Sequence, residues 1–143
     1  MIKQHVKEIM NAFPILVEED TSIIDVFKIF KRKKVSHLLV VAGTKLVGVL
    51  SKEDLLNKMV ELSEMTTGRT YNAIILKTTP VKEIMSSELI VAHPNDLLLV
   101  AVAKMLAANV HCIPVLNDEK EPIGVLTPID LLGAIEARKT ETV

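Results

Sequence analysis

Apolar residues along the chain fall into short blocks whose spacing shifts from strand-like to helix-like and back, and the same succession occurs twice. The runs Ile15-Leu16-Val17 and Leu89-Ile90-Val91-Ala92 each read as a strand. After the first, Asp20, Thr21 and Ser22 offer capping oxygens to a helix in which Ile23, Phe27 and Phe30 keep helical spacing, with Ile24 alongside. After the second, Asn95 and Asp96, following Pro94, are the capping candidates for a helix over residues 97–108, which are apolar almost all round. Such a helix needs cover on more than one side. Two β-branched strands follow in each half, 38–41 with 46–50 and 112–116 with 123–126, joined by polar turns at 42–45 and 117–122. A helix closes each half, near 52–65 and 128–137, and Pro128 suits a first helical turn.

The two halves are copies. Val6-Lys7-Glu8-Ile9-Met10 recurs letter for letter as Val81-Lys82-Glu83-Ile84-Met85, and the same offset aligns Ile15 with Ile90, Val35 with Val110 and Val40 with Val115. One extra residue later, Gly48-Val49-Leu50-Ser51 aligns with Gly124-Val125-Leu126-Thr127. Self-similarity of this kind fixes the architecture. It predicts a mixed α/β fold of two βαββα repeats, residues 1–65 and 81–138, joined by a connector at 66–80 and followed by a frayed tail at 139–143. In the connector Gly68 marks a turn, and Ala73-Ile74-Ile75-Leu76 reads as an extra strand.

The candidate chemistry lies where the last strand of each repeat meets its last helix, as Gly48…Ser51…Asp54 and Gly124…Thr127…Asp130. A hydroxyl at the helix start and a carboxylate one turn on can face one ligand. Free N–H groups and the positive dipole end favour a phosphate there, and an ionised Asp accepts hydrogen bonds from both hydroxyls of a ribose. The competing reading is a capping box that satisfies the helix's own N–H groups. Asp in both copies, where Glu or Gln reaches back more naturally, tilts the balance towards a ligand.

Together with the opening Val-Lys-Glu-Ile-Met and the run His111-Cys112-Ile113-Pro114-Val115, these motifs resemble a tandem pair of cystathionine-β-synthase-type (CBS) domains, a Bateman module. The resemblance runs from about Val6 to Ala137. It implies repeats packed sheet-to-sheet about a pseudo-two-fold axis, with two clefts for AMP, ADP, ATP or S-adenosylmethionine. By the same resemblance Thr127 and Asp130 hold ribose and phosphate in one cleft, and Ser51 and Asp54 do so in the other. Backbone around Ile113 and Pro114, with Leu89 and Ile90, clasps the adenine, and His111 approaches phosphates. The first copy departs from this pattern, with Leu39 in place of Pro114 and Ser36 in place of His111. That favours occupancy of the Asp130 site.

Composition narrows the function further. Of 143 residues, 49% are hydrophobic and 24% charged, and the net charge of −1 argues against a nucleic-acid surface. The basic run Lys31-Arg32-Lys33-Lys34 reads as a solvated last helical turn, with an anion-binding patch as the alternative. One cysteine, Cys112, allows no intrachain disulfide. No secretory signal, membrane span, metal-ligand spacing, G-x-S-x-G, Walker A or G-x-G-x-x-G sequence is present, so the expectation is a cytoplasmic, non-catalytic sensor without membrane or nucleic-acid partners. No cofactor is required, and the sequence leaves open whether magnesium accompanies the ligand. Leu98, Leu99, Val102, Met105 and Leu106 are candidates for a homodimer interface, and an effector protein would receive the output. A ligand-free structural or dimerisation module acting through a protein partner is the alternative.

Overall fold

A computed structural model describes residues 3–65 and 69–138. The expected turn at Gly68 and the tail lie outside the described residues. Two compact units emerge, Ile15–Leu89 and Met1–Pro14 with Ile90–Val143. They cut across the sequence repeats, because the opening segment of each repeat sits with the other repeat's sheet.

In the Ile15–Leu89 unit, β1 (Leu16–Glu18) runs parallel to β2 (His37–Ala42), which pairs antiparallel with β3 (Lys45–Ser51). The connecting helix α2 (Ile23–Arg32) starts at Ser22, whose side chain accepts the Asp25 N–H at 3.3 Å. Helix α3 (Lys52–Met65) follows β3 directly. In the other unit, α5 (Leu98–Ala108) precedes β4 (Ile113–Leu116) and β5 (Pro122–Leu126), and α6 (Pro128–Arg138) follows, opening on Pro128 as expected. Helix α5 ends at Asn109, whose left-handed backbone (φ 53) closes the last turn.

The two cores correspond position for position. Val17, Ile23, Val26, Phe30, Leu38, Val40 and Leu50 in one unit match Ala92, Leu98, Ala101, Met105, Ile113, Val115 and Leu126 in the other. Each hairpin also bulges at the same place, after the pairs Val40↔Gly48 and Val115↔Gly124.

The repeated pentapeptide completes each unit by exchange. Val6 opens the short helix α1 (Val6–Ile9) and is fully buried in the core around Leu98 and Ile113. Its N–H bonds the Asp96 carbonyl at 2.9 Å, and the Leu98 N–H bonds the Gln4 carbonyl at 2.8 Å. Val81, in a 3-10 turn (Val81–Glu83), makes the matching bond to the Thr21 carbonyl at 2.7 Å and is equally buried. Just beyond, Asn11 and Val125 exchange two backbone bonds of 2.9 and 3.0 Å, as do Ser86 and Val49. Met10 then lies over Gly124 and Met85 over Gly48. Only a residue without Cβ admits that approach.

Three expectations need correction. Residues 89–92 form no strand, and only Ala92 bridges to Val115. In the first copy the Leu39 N–H bonds the Ile15 carbonyl at 3.0 Å. Pro114 stands at the equivalent position and has no N–H to give. The connector run 73–76 is helical, within α4 (Arg69–Thr78), where it contacts α2 and α3 instead of extending a sheet. Finally, neither Asn95 nor Asp96 caps α5. Its N-cap is Leu97, and the Asp96 carboxylate instead accepts the His93 N–H at 2.9 Å.

The glycine contacts give a paired prediction. Gly124→Ala drives a methyl into the Met10 side chain and to 3.1 Å from the Asn11 carbonyl oxygen. Urea denaturation should register a loss of about 1–3 kcal/mol. A methyl group on Gly133 in α6 would meet nothing within 4 Å, so Gly133→Ala should be neutral or stabilise by up to about 1 kcal/mol.

Candidate functional site

Each motif sits where β3 or β5 hands over to the following helix. Ser51 ends β3, and its hydroxyl accepts the Asp54 N–H at 3.0 Å, an N-cap bond. Asp54 itself is exposed. In the second copy the polarity reverses. One oxygen of Asp130, Oδ2, accepts both the Thr127 N–H at 2.8 Å and the Thr127 hydroxyl at 3.0 Å. Each copy thus forms one half of a capping box, the hydroxyl half at Ser51 and the carboxylate half at Asp130.

Capping does not use up the acceptors. Oδ1 of Asp130 bonds nothing among the described residues, and Thr127 and Asp130 are both half-buried. A half-buried carboxylate held by two donors is a better-ordered acceptor than the exposed Asp54. The remaining expected residues divide by role. Ile113 pairs with Leu126, immediately before Thr127, and its side chain is fully buried. Pro114 is buried as well, and its carbonyl already accepts the Ala92 N–H at 3.0 Å. Any contact from these two to a ligand is therefore through backbone. Ile90 is half-buried and His111 exposed in the same unit. Leu89, exposed, falls with Ser51 and Asp54 in the Ile15–Leu89 unit.

Two features escaped the sequence reading. His93 links the turn before α5 to the β4–β5 hairpin. Its Nδ1 accepts the Asn95 N–H at 3.1 Å, so the ring hydrogen sits on Nε2 and is donated to Asp118 at 2.9 Å. Helix α6 exposes Ile129 (74%), Leu132 (60%) and Ile135 (56%), a stripe hinted at only by their spacing of three. The proposed interface on α5 also changes membership. Leu98 and Met105 are core residues, whereas Leu99, Val100 and Leu106 face out. Among the described residues, no helix is long and apolar enough to cross a membrane, and no group of three His, Cys, Asp or Glu could hold a metal ion.

The CBS domain profile matches residues 6–61 and 81–137. Protein MJ1426 of Methanocaldococcus jannaschii is 30% identical over 91% of this chain and 90% of its own length. Among solved structures, CBSX2 in complex with AMP superposes with TM-score 0.76 at 26% identity, covering 94% of this chain and 98% of that one. The CBS domain pair of protein MJ0100, in complex with 5′-methylthioadenosine and S-adenosylmethionine, gives TM-score 0.75 at 25% identity over 92% of this chain and 99% of that one. In longer relatives, a homoserine O-acetyltransferase and an L-aspartate semialdehyde sulfurtransferase, the chain spans 24% of each protein's length.

Cys112 reports on the same corner of the unit. Burial, and secondarily the Asp130 carboxylate, push its thiol up to about 12. The unfolded thiol ionises near pH 8.5, as free cysteine does, while the folded one stays protonated, so stability falls as pH climbs from about 9 towards 12. Cys112→Ala should remove that part of the alkaline loss in pH-dependent melting. In the native protein at pH 8, the thiol should resist a disulfide reagent until denaturant is added.

Proposed function

The chain belongs to the CBS domain family, carrying the domain twice, and from that premise we propose that it is a regulatory sensor that binds an adenosyl ligand at the helix start bearing Thr127 and Asp130. The observation that carries this reading is the oriented, half-buried Asp130 carboxylate with one oxygen still uncommitted. A vicinal diol supplies two donors to such an acceptor, and the start of α6 offers N–H groups to a phosphate or carboxylate. Relatives of the same fold have been solved with AMP and with S-adenosylmethionine. The ligand class is therefore AMP, ADP, ATP or S-adenosylmethionine. His111 is exposed, and the family resemblance assigns it to the ligand's charged tail. The function is binding and signalling rather than catalysis.

The second reading, a ligand-free structural module, draws its support from the capping bonds themselves, since each motif already satisfies a helix start. Thermal denaturation separates the two. A ligand at 100 times its dissociation constant stabilises by about 2.7 kcal/mol, a rise of roughly 5–10 °C for a chain of this size. Asp130→Ala should abolish most of the rise and Asp54→Ala less. No rise with any adenine nucleotide or S-adenosylmethionine favours the structural module, and the reverse order of the two variants overturns the site assignment.

The protein also acts as a homodimer on this proposal. Leu99, Val100 and Leu106 of α5, with Ile129, Leu132 and Ile135 of α6, are large apolar residues left exposed in one unit, the kind of surface a partner subunit covers. Light scattering after size exclusion should give twice the chain mass, and Leu106→Glu with Leu132→Glu should return it to one. A wild-type monomer at high concentration removes the dimer.

A further inference from the structure

Six cations crowd one end of the Ile15–Leu89 unit. Lys28, Lys31 and Arg32 lie on α2, Lys33 is its C-cap, Lys34 follows, and Lys52 opens α3. The Lys52 N–H bonds the Ser36 carbonyl at 2.9 Å and His37 pairs with Ser51, which brings the two helix ends together. All six side chains are exposed, and among the described residues none has a carboxylate within ion-pair distance. Lys31 has only the ring of Phe27, 5.7 Å away. Residues 26–52 contain no acid at all, although the chain has 18.

The fold does not need this charge. One or two cations complement a helix end. Lys28 instead faces Lys31 and Arg32 at spacings of three and four, where like charges destabilise a helix. The second repeat builds the same helix end with Ala103, Leu106, Ala107, Ala108, Asn109 and Pro128 at the aligned positions, all uncharged. A cost borne by one copy and avoided by the other points to a ligand.

We infer that this end of the unit binds a chain of linked phosphates, either free or as the polyphosphate arm of a nucleotide. Ammonium and guanidinium groups on two adjoining helix ends can surround such an anion with charge-assisted hydrogen bonds. The six cations are confined to one corner of a chain whose net charge is −1, which does not suit an extended nucleic-acid strand, and none of the six residues could enter a bilayer as an apolar anchor. The inference stands apart from the adenosyl reading of Asp130.

The test is calorimetric titration of the full chain with sodium tripolyphosphate at low ionic strength, against Lys31→Gln/Arg32→Gln/Lys33→Gln/Lys34→Gln. The wild type should bind, more weakly as salt is raised, with amide shifts confined to residues 28–37 and 51–54. The fourfold variant should bind roughly tenfold or more weakly, melt no lower than wild type without ligand, and keep its response to AMP. ATP binding no tighter than tripolyphosphate assigns the free phosphate chain, and tighter binding that the variant loses assigns the nucleotide arm. The inference is overturned by absent tripolyphosphate binding, by undiminished binding in the variant, or by shifts elsewhere. Tighter binding of an RNA oligomer or anionic vesicles through the same four residues also overturns it.

Discussion

The structure depends on one exchange, the docking of each Val-Lys-Glu-Ile-Met segment onto the sheet of the other repeat. Val6 and Val81 are fully buried, their N–H groups are bonded, and the residues just after them extend the outer edge of β5 and β3. Fully burying a valine contributes on the order of 1.5–3 kcal/mol. More important is what the exchange forbids. Neither repeat can complete its core from its own contiguous residues, so a cut between the copies would leave each sheet's glycine without its Met cover and each outer edge without its partner. Most of the defining contacts also span a long stretch of chain, as from Val6 to Asp96 and from Asn11 to Val125, a topology whose loop closure must precede its reward.

On this shared frame the two copies have diverged at their helix starts and helix ends. Leu39 gives its N–H to a neighbouring segment, whereas Pro114 cannot, and the first strand of the second copy shrinks to a single bridge at Ala92. Removing that ladder frees backbone around Ile90 from sheet pairing in the unit that holds Asp130. The last turn of α2 is cationic, while that of α5 is apolar and uncharged. Duplication preserved the core positions, each still apolar, and the solvent-facing positions took on separate chemistry.

This is why the core was legible in the sequence and the exchange was not. Apolar period and capping residues are local, so β1 to β5, α2 and the Pro128 start of α6 follow from neighbours in the chain. Two identical pentapeptides carry no mark of which glycine each will cover, because that choice is tertiary. Ile74 and Ile75 favour a strand by propensity, yet they lie in α4, which contacts α2 and α3 and places Leu76 against the core. Leu98 and Met105 were indistinguishable from Leu99 and Leu106 in a helix apolar all round; only the position of the sheet separates core from surface. At the helix start, spacing brings Thr127 and Asp130 together, but the reversal of the cap between copies depends on side-chain direction, which spacing does not encode.

The cap and the proposed ligand site are better regarded as one device than as rivals. A free aspartate at a helix start samples several rotamers, and a ligand must select one. The two Thr127 donors already fix the Asp130 carboxylate through Oδ2, so Oδ1 is aimed before anything binds. Such pre-organisation lowers the ordering cost of association. Ser51 achieves the opposite, because its hydroxyl is spent on the Asp54 N–H and the Asp54 carboxylate is left unheld in solvent. On the proposed reading, the same capping chemistry prepares one helix start for an uncharged diol and leaves the other to whatever the neighbouring cations attract.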